Sequence, residues 1–235
     1  MQNDARSMRD WRLIVGLNSF LLALLIYPTG CTTVGNAAKS AYRSAYYVTV
    51  ETFGVHKRDI LKKKVVQARD EQSEAEEEFK DALTKLQEIY ASENGDLEKQ
   101  YKQLKNKYES AADRADNVKE RIQSIETVAG DLFNEWEAEI NEIRTVSLKL
   151  KSKKTLMQTK DRYGSMLGAL QKAETSMSPV LAKFKDHVLF LKHNLNAAAI
   201  ASLKGEALNI QGDIAALIKE MNSSIKTANE FIDSL

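Results

Sequence analysis

The chain has 235 residues, 29% of them charged, with 34 basic and 33 acidic side chains and a net charge of +1. A balance so close to neutral gives no overall electrostatic pull toward nucleic acid, which usually demands a basic surface, and a single Cys excludes an intramolecular disulfide. Ten Gly and two Pro are too few for a turn-rich sheet fold, and apolar residues recur at helical spacing almost throughout, so the expected class is all-α.

The first thirty residues read as a signal peptide. Arg6, Arg9 and Arg12 precede an apolar run from Leu13 to Tyr27, which closes on Pro28, Thr29, Gly30 and Cys31. Basic, then apolar, then small is the order of a secretory signal. Read instead as an uncleaved anchor, the run reaches only about 22 Å as a helix, against a hydrocarbon core of about 30 Å. Thr29, Gly30 and Cys31 resemble the lipobox of bacterial lipoproteins, with Pro28 standing where that pattern has an aliphatic residue. The resemblance implies cleavage before Cys31 and acylation of its thiol, and Thr32 in place of Asp resembles outer-membrane sorting. The expected localisation is therefore the periplasmic side of the outer membrane, with inner-membrane anchoring as the alternative. Three of the 34 basic and two of the 33 acidic residues fall before Cys31, so the cleaved chain is neutral.

Residues 31–39 read as a tether. From residue 40 the pattern turns helical, with Tyr42, Tyr46, Val50 and Phe53 on one face, and Gly54 interrupts it. The longest signal follows. Leu61, Val65, Ala68, Gln72, Ala75, Phe79, Ala82, Leu86 and Ile89 alternate in steps of four and three, with Gln72 the one polar member. Beyond Asn94 and Gly95 the alternation resumes through Leu97, Tyr101, Leu104, Tyr108, Ala111, Ala115, Val118, Ile122, Ile125, Ala129, Leu132 and Trp136. Two such seams across a short turn predict an elongated antiparallel coiled-coil hairpin. Residues whose numbers add to about 187 then lie opposite each other. That register faces Glu74, Glu76, Glu77, Glu78 and Asp81 with Lys102, Lys105 and Lys107, faces Lys62, Lys63 and Lys64 with Glu120 and Glu126, and sets Phe79 against Tyr108.

The second helix is expected to continue through Ile140, Ile143, Val146 and Leu150. The stretch holding Lys149, Lys151, Lys153, Lys154, Lys160 and Arg162 then loses its apolar phase, which predicts a kink or loop near Gly164. This basic stretch reads either as a solvated helix face or as a contact for anionic lipid or glycan. Ser178 and Pro179 read as an N-cap and first helical position. Two further seams, Leu181 to Ala198 and Ala207 to Phe231, meet at a reversal near Leu203 to Gly205 and form a second, shorter helical pair. The domain plan is a signal peptide over 1–30, a tether over 31–39, an N-terminal helix and long hairpin over 40–150, and a C-terminal helical bundle segment over 151–235.

No GxxxxGK loop, HExxH motif or nucleophile elbow is present. His187 and His193 lie about 240° apart around a helix, which keeps them from sharing a ligand, and each reads as a surface or boundary residue. The expectation is no catalysis, no cofactor and no metal. Two segments carry a family resemblance: Glu51 through Phe53, Gly54 and His56 to Asp59, and Phe184 through His187, Phe190 and His193 to Ala197, continuing into Ile200 to Leu203. They resemble uncharacterised bacterial proteins grouped as domain of unknown function 2959 and often described as lipoproteins. The resemblance implies no activity. His56, Lys57 and Arg58, with Lys192, His193, Asn194 and Asn196, read as a contact surface near the base of the hairpin or as a buried polar junction.

The sequence points to a lipid-anchored cell-envelope protein with a structural or interaction role, bound to the membrane through acyl chains on Cys31 and to an unknown envelope protein. The alternative is a periplasmic helical protein that holds a small ligand or lipid between its helical pairs. Nucleic acid is not expected as a partner, and self-association is left open.

Overall fold

The structure, a computed structural model, describes residues 56–91, 96–202 and 204–235. The signal segment, Cys31, the tether, the expected helix over 40–53 and the turn at Asn94 and Gly95 lie outside the described residues. Five helices follow in order: α1 (Lys57–Ala91), α2 (Leu97–Glu142), α3 (Val146–His193), α4 (Ala197–Ser202) and α5 (Lys204–Ser234).

The α1 seam folds as its spacing requires. All nine of its members, Gln72 included, are fully buried. Along α2, Leu104, Ala111, Val118, Ile122, Ile125, Ala129 and Leu132 are buried, while Leu97, Tyr101, Tyr108, Ala115 and Trp136 are half-buried. Asp96 starts α2 by accepting the Lys99 N–H on its carboxylate at 3.0 Å, which satisfies one of the open N–H groups of the first turn. The two helices pack along each other as a hairpin, and its register is within two residues of the expected one. Lys107 meets Glu78 at 3.2 Å and Asp81 at 2.8 Å, and Arg114 meets Glu71 at 2.8 Å and Glu74 at 2.6 Å. The remaining charges pair differently. Lys102 and Lys105 bind Glu98 and Glu109 on their own helix. Lys62, Lys63 and Lys64 form no ion pair with Glu120 or Glu126, because Glu126 faces α3 and accepts from Gln171 at 2.8 Å.

The second half departs from the expected pair. Helix α2 ends at Glu142, and Ile143 leaves it with an extended backbone, φ −66° and ψ 116°. The break comes before Val146 because the seam has run out into Glu139, Asn141 and Glu142. No loop interrupts α3 near Gly164, and Pro179 lies inside α3 rather than at a helix start. A continuous heptad explains both: Leu156, Thr159, Tyr163, Met166, Leu170, Ala173, Met177, Val180, Phe184, His187 and Leu191 step by three and four without interruption, and all but the half-buried Tyr163 are buried. Packing along that seam carries the helix through a proline that costs about 3 kcal/mol in an isolated helix. The return also begins earlier than expected, at residues 194–196, where the Asn196 side chain accepts the Ala199 N–H at 2.9 Å and starts the short α4.

Helix α5 buries Ile210, Ile214, Leu217, Met221, Ser224, Ala228 and Phe231. Its seam is closed on two sides, since it packs against α3 and against α1, while α3 packs against α2. Lys172 and Lys183 of α3 pair with Glu220 and Asp213 of α5. Arg69 and Glu76 of α1 bond Asn229 and Asn222 of α5 at 3.0 and 3.1 Å. Each contact is antiparallel, so the hairpin and the second pair, α3 with α5, close into one up-down-up-down four-helix bundle with a shared core. All five helices belong to one compact unit, and the expected division after residue 150 falls inside α3.

Candidate functional site

A bundle of this topology concentrates its irregular backbone at its two ends. One end, called the base here, carries the start of α1, the α2–α3 connection and the end of α5. The opposite, distal end carries the end of α1, the start of α2, α4 and the start of α5. The residues expected to form a single contact surface divide between them. His56, Lys57 and Arg58 lie at the base, while Lys192, His193, Asn194 and Asn196 lie at the distal end, about 50 Å away along the length of α1. They cannot form one surface. Helix periodicity placed each residue on its helix, but the direction of α3 relative to α1 follows from bundle closure, which no local pattern encodes.

At the distal end the structure brings together a pair that periodicity missed. Tyr90 and His187, 7% and 8% exposed, meet across the core with the Tyr90 oxygen 2.6 Å from the His187 Nδ1. Their rings lie edge to face at 6.0 Å. Burial pushes the His187 pKa below its ordinary value, with Glu206 and Asp186 opposing. Burial, with Glu206 adding to it, raises that of the Tyr90 hydroxyl. Both shifts favour a neutral pair, in which the Tyr90 O–H donates to Nδ1 and the imidazole proton sits on Nε2. His187 also lines a groove of about 350 Å³ between α3 and α5, with Lys183, Asp186, Phe190, Glu206 and Asn209. His187 is therefore a boundary residue of the surface-or-boundary reading, packed against the core and lining the groove. The signal was present in its position three residues after Phe184 and four before Leu191.

The base is organised by aromatic and charged contacts. Lys57 pairs with Glu135 at 2.6 Å, and Arg58 stacks 5.5 Å over Trp136, whose indole N–H donates to Ser152 at 3.0 Å. Phe133, Tyr163 and Phe231 join α2, α3 and α5 at centroid distances of 5.2 and 6.2 Å. Buried among them, the Tyr163 hydroxyl has its pKa pushed up to about 12, with Glu126 contributing. Past Lys57 only α2 and α3 continue among the described helices. Between them lies a cleft of about 520 Å³ bordered by Glu137, Ile140, Lys153, Leu156, Met157 and Lys160. His56 and Arg58 are exposed there, as Lys192, His193 and Asn196 are at the distal end.

Among the described residues, no group of three or more His, Cys, Asp or Glu could hold a metal ion, and no helix is long and apolar enough to cross a membrane. These features define a helical-bundle protein with a polar groove at one end and a basic, partly apolar tip at the other. The family described as Protein of unknown function (DUF2959) matches residues 46–235, and the chain belongs to that family. No curated protein and no solved structure matches the chain.

Proposed function

We propose that this is a lipid-anchored cell-envelope protein whose helical rod serves a structural or protein-interaction role without catalysis. The observation that carries the reading is the packed interior. The α1 seam is wholly buried, α3 and α5 fill the opposite side, and among the described residues the grooves lie at the surface with charged walls. A core closed along its length offers stiffness and external faces rather than an apolar interior for cargo. The signal-like segment ending at Cys31 supports an anchor on the membrane at the periplasmic side, most simply that of the outer membrane. Two or more acyl chains would make that anchor stable, where one is marginal. Incorporation of labelled fatty acid into the wild-type chain, and its loss in Cys31→Ala with release from the membrane fraction, is the expected result. Labelling that persists in the variant would refute acylation at Cys31.

One observation favours the ligand-binding alternative, namely the groove beside His187. Its Phe190 wall and its Lys183, Glu206 and Asn209 side chains suit a small polar molecule better than a lipid tail. Chemical-shift changes at His187 upon addition of envelope extracts would favour that reading over the scaffold.

A further inference from the structure

The base of the bundle holds a long basic stretch with no acidic residue in it. From Ile143 to Lys160 the chain has six basic residues and no acidic one. Elsewhere in the bundle, lysines and arginines such as Lys107, Arg114, Lys172 and Lys183 are matched to carboxylates on a neighbouring helix. Here only Lys160 is, through Glu137. Lys149 donates to the Asn141 carbonyl at the end of α2. Arg144, Lys151, Lys153 and Lys154 carry no ion pair among the described residues, although Glu139 and Glu142 are on the adjoining α2.

The same stretch exposes apolar side chains that a solvated helix has no reason to keep. Val146, Leu148, Leu150 and Met157 are 71%, 57%, 62% and 60% exposed. Val146, Leu150 and Met157 fall on one side of α3, and Leu148 points nearer the bundle axis, beyond the reach of any described helix. Lysines alternate with them, so each apolar group has a cation beside it. An acidic protein surface could meet the lysines, but it would leave the exposed apolar groups of the first three turns of α3 unmatched. A bilayer surface accommodates both, with phosphates at the cations and the headgroup boundary at the apolar tips.

We infer that the α2–α3 tip docks on the surface of a bilayer containing anionic phospholipid. The inference goes beyond the anchored scaffold and stands or falls separately from it, since the contact uses charge and the anchor uses acyl chains. Each lysine contributes about a five-fold gain in partition to such a surface, so losing three weakens it about a hundred-fold.

The test uses the full chain carrying Trp11→Phe, Trp136→Phe and Leu148→Trp, which leaves one indole at the tip. It is mixed with vesicles of brominated phosphatidylcholine, with or without phosphatidylglycerol. Quenching of the indole only in the anionic vesicles, reversed by about 0.5 M salt, is the expected result. Adding Lys151→Gln, Lys153→Gln and Lys154→Gln should remove the quenching while far-UV circular dichroism stays helical. The salt arm needs no further variant and covers the case in which the triple change perturbs folding. Equal quenching in neutral and anionic vesicles, or none in either, overturns the proposal. Flotation with neutral vesicles reads the anchor independently: a chain that fails to float there yet is quenched by anionic vesicles loses the anchor and keeps the tip contact.

Discussion

Replacing Gln72 with Leu should stabilise the bundle, and the size of the gain follows from how poorly the amide is served. Gln72 is fully buried. Its Nε2 donates to the Leu170 carbonyl at 3.4 Å, the long limit of a hydrogen bond, and its Oε1 has no partner. The Leu170 carbonyl lies within a continuous helix and keeps its place in the backbone ladder when the amide is removed. The loss is therefore one weak bond of about 0.5 kcal/mol, and the gain is relief of a desolvated oxygen at about 1–3 kcal/mol. Leu matches Gln closely in length and adds apolar contact to a seam otherwise made of Leu, Val, Ala, Phe and Ile. The net expectation is about 1–2 kcal/mol. In urea unfolding this raises the midpoint by about 0.5–1 M at an unchanged slope, for a slope of about 2 kcal/mol/M. A lower midpoint would refute the argument. A smaller slope at equal midpoint would instead assign the amide a role in holding one register, the best-attested use of a polar residue in a helical seam.

Gly164 and Gly168 sit on exposed turns of α3 with open space where a Cβ would go, so the double change to Ala should add about 1–2 kcal/mol; a fall in melting temperature would reveal a contact that this geometry lacks. Glu71, 8% exposed, holds Arg114 at 2.8 Å and Asn117 at 3.0 Å across the hairpin, and Glu71→Ala should cost about 1.5–3 kcal/mol in denaturant unfolding; no loss would mean that the pair is replaced by solvent without penalty. His187 prefers to be neutral in the folded chain, so it contributes stability above its unfolded pKa near 6.5, and that contribution drains away as pH falls through the window between that value and the lower folded one. Tyr90, Lys183, Asp186 and Glu206 surround it, and a difference curve of wild type minus His187→Phe should slope upward with pH in that window and flatten above it; a flat curve would show that the imidazole is not desolvated.

The hairpin was legible because its seam residues are strong apolar types at unbroken heptad spacing, and because the opposite charges flanking it fix a register. Helix α3 was not, although its heptad is as regular. Thr159, Ala173 and His187 occupy seam positions with side chains that read as neutral or polar, while Val146, Leu148 and Leu150 offer a stronger apolar signal on faces that remain exposed. Reading by hydropathy follows the second set and places the breaks wrongly. Pro179 misled for a related reason: local rules make it a helix start, and only the seam on both sides of it shows that tertiary packing prevails. The division of the expected contact surface has a different origin. His56 and His193 both flank helix ends, but which ends share one pole of a bundle depends on the number of helices between them.

The distribution of charge along the rod separates what the fold needs from what it does not. In the middle section, carboxylates and cations meet across the α1–α2 and α3–α5 interfaces, and exposed pairs of this kind contribute about 0–1 kcal/mol each while excluding shifted registers. Folding therefore accounts for those charges. It does not account for Lys151, Lys153 and Lys154, which repel one another and match no neighbouring helix. Nor does it account for Leu148 and Leu150, which add nothing to the core and lower solubility. Stability alone would replace both sets with no loss to the bundle. Their coexistence within two turns at the start of α3 is what the proposed contact with an anionic bilayer surface would explain, since such a surface favours cations and apolar groups together.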